Sequence, residues 1–145
     1  MKTYVLTGIK PRPKARPLAG RGKMFMPEDY QTWKETVRNF LAGAYAPQAI
    51  HGACVIDIEL HAPYKPRGDL DNLAGGILDA IQPPRARGDV RAQRALEKAV
   101  SIEDRLSGAS GCLIADDKQV VSLSIRWVKS KTRAIVIRVE EIKAS

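Results

Sequence analysis

Residues 53–81 read ACVIDIELHAPYKPRGDLDNLAGGILDAI. In the first part of this stretch apolar and polar side chains alternate, which predicts a half-buried β-strand over residues 53–61. Its polar face, which is either solvated or lines a site, carries Asp57, Glu59 and His61. After a turn over residues 63–68, apolar residues recur at helical spacing and predict a helix that ends at Pro83-Pro84. The apolar positions of this helix are Leu70, Leu73, Ile77, Leu78 and Ile81.

The N-terminal part of the chain predicts a strand, a loop and a helix. Residues 4–9 are a short apolar run, whereas residues 10–23 are rich in proline, glycine and basic residues and predict an extended, partly mobile loop. Pro27, Glu28 and Asp29 are typical of a helix start, because acidic side chains favour the positive end of the helix dipole. The apolar face of this helix, with two aromatic core anchors, consists of Tyr30, Trp33, Val37, Leu41 and Ala44.

The C-terminal part predicts one more helix and several strands. A weak apolar stripe over residues 85–110 indicates a third helix, and Cys112–Ala115 is a short apolar, strand-like segment. Alternating residues around 121–127 and 135–139, joined by a turn at Ser130–Thr132, predict a β-hairpin. We therefore expect an α+β fold, with a single mixed β-sheet and helices packed on it. Residues 1–145 form one predicted domain, with an inserted helical segment at about 82–110.

The charge balance favours a polyanionic partner. The chain has 24 Lys and Arg against 16 Asp and Glu, a formal charge of +8, and residues 1–27 contain seven basic residues and no acid. Nucleic acid is the commonest partner of such a chain, although many basic proteins bind none. We expect phosphate contacts from Lys14, Arg16, Arg21, Lys23, Lys65 and Arg67.

The remaining composition predicts a protein of the cytoplasm with no membrane contact. Cys54 and Cys112 lie far apart in apolar segments, which favours two buried thiols over a zinc site. Residues 4–9 are too short for a signal peptide, and no stretch approaches the roughly 18–20 apolar residues of a membrane span.

Two acidic clusters carry the candidate chemistry. Asp69 and Asp71 flank Leu70 at the start of the second helix, and Asp116 and Asp117 lie between two strand-like segments. Carboxylate oxygens are the ligands that Mg²⁺ prefers, and two or three can be enough. The alternative is that Asp71 caps a helix and Asp116-Asp117 make a turn. A glycosyltransferase-like metal motif fits poorly, because no run of βαβ units is visible.

The order of these motifs resembles the RusA family of Holliday junction resolvases. The resemblance rests on DLDNL at 69–73, LDAI at 78–81, DDKQVV at 116–121 and the basic PKARP loop at 13–17. It implies a mixed α/β homodimer that uses Mg²⁺, or Mn²⁺ in its place, to make paired symmetric nicks in four-way DNA junctions. By motif position the catalytic metal ligands are Asp69, Asp71 and Asp117, with Asp116 as an adjacent fourth ligand.

Two features depart from the family pattern. The family commonly has a lysine that assists catalysis at the position of Gly75, which is followed here by Gly76. We consider Lys65 and Lys118 as replacements and prefer Lys65, because Lys118 adjoins Asp117 and would point to the opposite face of an extended chain. Residues 82–110 are longer than the usual link and are a DNA-binding element, a dimer arm or a solvated helix.

The sequence therefore predicts a DNA endonuclease of recombination and repair, and leaves two alternatives open. One is a protein of the same fold that binds branched DNA but cuts it weakly or not at all, since the lysine is missing. The other is a metal-dependent enzyme that acts on a small nucleotide. The basic arm of seven cations argues against this alternative, because a single nucleotide is too small to contact all of them.

Overall fold

The computed structural model describes residues 1–20, 23–84 and 110–143. The third helix expected over residues 85–110 lies almost entirely outside these ranges, as does Arg21. Side chains at positions 20–25 are not described either, so the expected phosphate contact of Lys23 also lies outside the described residues.

Six strands and two helices make up the described part of the chain. The helices are α1 (Glu28–Tyr45) and α2 (Leu70–Ala80), and a single 3-10 turn spans Asp117–Gln119. The strands are β1 (Lys2–Thr7), β2 (Leu18–Gly20), β3 (Lys23–Phe25), β4 (Cys54–Ala62), β5 (Val120–Lys129) and β6 (Ala134–Glu141). Four of them form one mixed sheet in the order β1-β6-β4-β5, in which only the β4–β5 pair is parallel. The expected α+β fold is confirmed.

The predicted hairpin between β5 and β6 is wrong. Both strands exist, but β4 lies between them, parallel to β5 and antiparallel to β6. The core-side residues of β4, from Cys54 to Ala62, are 5% exposed or less, so this strand belongs at the centre of the sheet. The link over residues 130–133 has to cross only about 10 Å, two strand spacings. It passes the end of β4, where the Ser130 amide donates to the carbonyl of Ala62.

Two smaller expectations also need correction. Within the loop predicted over residues 10–23, β2 and β3 pair as a two-stranded antiparallel sheet. The segment Cys112–Ala115 is not a strand, and among the described residues Ile114 forms an isolated parallel bridge with Ile50. Its backbone instead continues past the end of α2, where the Leu113 amide donates to the Ile81 carbonyl at 2.9 Å.

The core lies between the sheet and the two helices. Tyr30 and Trp33 stack with their rings 5.8 Å apart and are both buried, which confirms them as core anchors. Ala44, at the end of the predicted apolar face, is exposed. Cys54 and Cys112 are buried free thiols as expected, and burial raises the pKa of each. No helix in the described ranges is long and apolar enough to cross a membrane.

The other face of the sheet carries a network of charges. Glu59 is buried and accepts hydrogen bonds from Arg126, while Arg138 lies 3.1 Å away. His61 Nε2 lies 3.0 Å from Glu59 Oε1. These contacts, led by the Arg126 hydrogen bonds, lower the pKa of Glu59 to about 2. The acidic side chains on the polar face of β4 are therefore paired with arginines of the neighbouring strands.

Candidate functional site

Asp69 and Asp71 lie together at the N-terminus of α2. Asp69 is the N-cap residue in an extended conformation, but its side chain makes no capping hydrogen bond. Asp71 lies in the first helical turn. Both residues are exposed, and neither carboxylate has a hydrogen bond or ion pair among the described residues. The helix dipole stabilises negative charge here, so both carboxylates are available to a cation or a polar ligand.

The second acidic pair is held by Gln119. The Gln119 side-chain oxygen accepts from the amides of Ala115 and Asp116, each at 2.8 Å, and its nitrogen donates to the carbonyls of Ile50 and Gly52. The Asp116 carboxylate accepts from the Lys118 amide at 2.9 Å, which completes a capping box. Asp117 is exposed at the first position of the 3-10 turn. Asp116 therefore has a structural role in this turn.

The two acidic pairs do not meet within one chain. Asp69 and Asp71 lie at the start of α2, whereas Asp117 follows the segment that is bonded to Ile81 at the end of α2. The eleven residues of α2 alone span about 16 Å at 1.5 Å per residue. Within the described ranges, no group of three or more His, Cys, Asp or Glu side chains is close enough to hold a metal ion. Among the described residues, Asp117 therefore lies near the opposite end of α2 from Asp69 and Asp71.

The basic loop over residues 10–14 is fixed against α1 and α2. Trp33 Nε1 donates to the Lys10 carbonyl at 2.8 Å, and Arg12 forms an ion pair with Asp29, also at 2.8 Å. The Arg12 hydrogen bond lowers the pKa of the Asp29 carboxyl. Farther along the loop, the Lys14 amide donates to the carbonyl of Asn72 at 3.0 Å. These contacts hold residues 10–14 against the two helices.

Gly75 and Gly76 are where this loop contacts α2. A Cβ atom on Gly76 would overlap the Arg12 carbonyl oxygen and lie 3.2 Å from the Lys14 nitrogen, so only glycine admits the loop. A Cβ on Gly75 would lie 3.4 Å from Lys14 Cβ and 3.6 Å from its Cδ, in ordinary contact. The glycine pair thus packs against the chain's own N-terminal loop.

A basic groove opens beside the α2 acidic pair. It has a volume of about 1120 Å³ and includes Gly68, which directly precedes Asp69. No acidic side chain among the described residues lines it, whereas its cationic side chains are Lys10, Arg12, Lys65, Arg67 and Arg133. Trp33 and Tyr64 also line it, and Tyr64 is 77% exposed. This composition suits a phosphate backbone with an aromatic surface beside it.

A family model matches the chain. The family model of endodeoxyribonuclease RusA matches residues 8–90, more than half of the chain. The fold and the acidic helix start thus belong to a nuclease family, and the chain is a member of the RusA endodeoxyribonuclease family. The match ends before Asp116 and Asp117. No curated protein matches the chain.

The structure adds residues that the sequence did not single out. Lys65 and Arg67 line the groove as phosphate-binding candidates, but Arg133 joins them from a loop more than 60 residues later. Gln119 is part of the predicted motif, and its side-chain hydrogen bonds hold the Asp116–Asp117 turn in place. A glutamine three residues after an aspartate is a capping-box signal that could have indicated this. Nothing in the local sequence could have linked Arg133 to the groove.

Proposed function

We propose that the protein is a magnesium-dependent endonuclease that resolves four-way DNA junctions by paired, symmetric nicks. The observation that carries this proposal is the exposed Asp69–Asp71 pair at the edge of a groove lined by five cations. A basic groove retains the phosphate backbone, and carboxylates beside it are suited to holding a divalent cation next to a phosphate. Membership of the RusA family supports the same reaction.

Asp69, Asp71 and Asp117 are the residues that we propose as Mg²⁺ ligands, with Mn²⁺ as a substitute ion. Asp116 is a weaker candidate, because its carboxylate already caps the 3-10 turn. A bound Mg²⁺ supplies charge neutralisation at the phosphate and lowers the pKa of a coordinated water. The chain's own groups bind the DNA through Lys65, Arg67 and the other groove cations.

A homodimer would reconcile these ligands with the separation of the acidic pairs. Asp117 follows the segment that is bonded to the end of α2 opposite Asp69 and Asp71, so a site that contains all three would need a second copy of the chain. In a two-fold dimer, each copy could offer its Asp117 to the α2 start of the other, and the symmetry would make two equal sites. Two equal sites are what paired nicks across a four-way junction require. We therefore propose that each site is shared between two copies.

Cleavage of a labelled synthetic four-way junction tests the proposed function. With Mg²⁺ present, the wild-type protein should nick the junction and Asp71→Asn should not. The variant should bind the junction as tightly as the wild type, because an exposed carboxylate is replaced without loss of a phosphate contact. Asp57→Asn, on the remote sheet face, is the matched control and should cut at the wild-type rate. Wild-type cleavage by Asp71→Asn would refute the metal-site assignment.

Mixing two inactive variants tests whether the site is shared. Asp71→Asn and Asp117→Asn should each be inactive alone. After unfolding and joint refolding, a heterodimer would contain one site with all three aspartates intact, so the mixture should regain single nicks. If each chain held its whole site, both sites of the heterodimer would be defective, and the mixture would stay inactive.

The alternative is a protein of this fold that binds branched DNA without cutting it. The observation in its favour is the absence, within the described part of one chain, of an assembled carboxylate group. Junction binding that is unaffected by Mg²⁺, with no nick in either strand, would favour this alternative.

A further inference from the structure

We propose that Lys14 is a catalytic residue whose ammonium group neutralises the scissile phosphate beside Asp69 and Asp71. The inference rests on the proposed nuclease function and deepens it. It assigns Lys14 a role distinct from that of Arg16, which is exposed in the same loop and would only hold the DNA.

The contacts of the loop determine where Lys14 lies. The Arg12 carbonyl is against Gly76 and the Lys14 amide is bonded to the Asn72 carbonyl, so the chain runs along α2 towards its acidic start. The Lys14 side chain then covers the helix surface at position 75, since its Cβ and Cδ lie 3.4 and 3.6 Å from the point where a Cβ of that residue would be. The absence of a side chain at Gly75 leaves this surface to Lys14.

Position 75 shares a helix face with Asp71. Residues four apart on a helix have their Cβ atoms about 5–6 Å from each other, so the stem of Lys14 lies about one helical turn from Asp71. The ammonium lies only two bonds beyond Cδ. Lys14 is exposed, and its side chain has no hydrogen bond or ion pair among the described residues. Its charge is therefore available to a ligand bound at the start of α2.

An ammonium group in this position matches the charge requirement of phosphodiester hydrolysis. Attack of water on phosphorus forms one P–O bond and breaks another, and negative charge increases on the non-bridging oxygens in the transition state. A fixed donor next to these oxygens stabilises the transition state more than the bound substrate. The backbone bond from Lys14 to Asn72 fixes the root of this side chain to the helix that carries Asp71.

The two lysines considered from the sequence are less well placed. Lys118 follows Asp117 in the 3-10 turn, so it would reach the start of α2 only from the second copy of the proposed dimer. Lys65 lines the groove and is exposed in the loop between β4 and α2. Of the three lysines, Lys14 is the one whose side chain lies against α2 at Gly75 in the described part of the chain.

Single-turnover cleavage at saturating protein separates this role from simple DNA binding. We expect Lys14→Ala to lower the cleavage rate about a hundredfold, the size of effect seen when one oxyanion donor is removed. Its junction affinity should fall only by what one phosphate contact contributes. Lys14→Arg should recover part of the rate. Lys2→Ala, at the far edge of the sheet, is the control and should cut like the wild type.

A charge transplant completes the test. In the double variant Lys14→Ala/Gly75→Lys, the cation grows from the helix instead of the loop, and we expect the cleavage rate to rise at least tenfold above that of Lys14→Ala. A wild-type rate for Lys14→Ala at saturation would overturn the role of Lys14 while leaving the nuclease intact. So would a double variant no faster than Lys14→Ala. A wild-type protein that never cuts would overturn the proposed function and this inference together.

Discussion

Adjacent alanine substitutions at Gly75 and Gly76 test the packing of the basic loop on α2. Either change should stabilise the helix by up to about 1 kcal/mol, because alanine is a better helix former than glycine. At Gly75 nothing opposes this gain, since the new Cβ makes ordinary contact with Lys14. At Gly76 the new Cβ overlaps the Arg12 carbonyl oxygen. Overpacking costs about 1–3 kcal/mol, and loss of the Lys14–Asn72 hydrogen bond about 0.5–1.5 kcal/mol more.

The net expectation is therefore a gap of roughly 2–4 kcal/mol between the two variants, in favour of Gly75→Ala. Thermal unfolding followed by circular dichroism should show it, because about 1 kcal/mol shifts the Tm of a chain of this size by roughly 2–4 °C. Junction cleavage by Gly76→Ala should also fall, since a displaced loop carries Lys14 with it. A Gly76→Ala variant that is as stable as Gly75→Ala would refute the described contact between loop and helix.

Three further predictions concern charge and assembly. Because its ion pairs lower the pKa of Glu59 to about 2, Glu59 contributes stability above its ordinary value of 4.5 that is lost as the pH falls from 4.5 towards 2. Urea titrations across this range should show a steeper loss for the wild type than for Glu59→Gln, and equal slopes would contradict the network. Alanine at Arg16, Lys65 and Arg67 should reduce the salt dependence of junction affinity by roughly 0.9 in slope per lost contact, and an unchanged slope would exclude these contacts. Sedimentation should give about twice the 16.0 kDa chain mass, and a monomer that makes paired nicks would contradict the shared site.

Local patterns predicted the elements well. The alternation in residues 53–61 and the spacing from Leu70 to Ile81 correspond to β4 and α2 within one residue at most boundaries. Both signals depend on one face being buried, and the spacing of apolar residues along the chain shows which face that is. No such local pattern indicates which strands pair with each other. Alternation in β5 and β6 is compatible with a hairpin, and only the deeper burial of β4 decides that it lies between them.

The sequence predicts which residues belong to the candidate site but not how they are arranged in space. The DLDN motif indicated the exposed pair at the start of α2, and the structure brings Asp69 and Asp71 together there. The motif could not indicate that Asp117 lies beyond the opposite end of the helix, because order along the chain does not fix distance. The motif also could not explain why a glycine stands at position 76. Glycine is needed there because the backbone carbonyl of Arg12, 64 residues earlier in the sequence, packs against it.

Magnesium-dependent cutting of a four-way junction is the most direct test of the proposed function. A junction with a different label on each strand is incubated with the protein in Mg²⁺ or in chelator, and the products are separated under denaturing conditions. We predict nicks at symmetric positions in two opposing strands, only with Mg²⁺, giving duplex products that ligase can seal. A junction that is bound but stays intact in Mg²⁺, or that is cut equally well in chelator, would contradict the proposal.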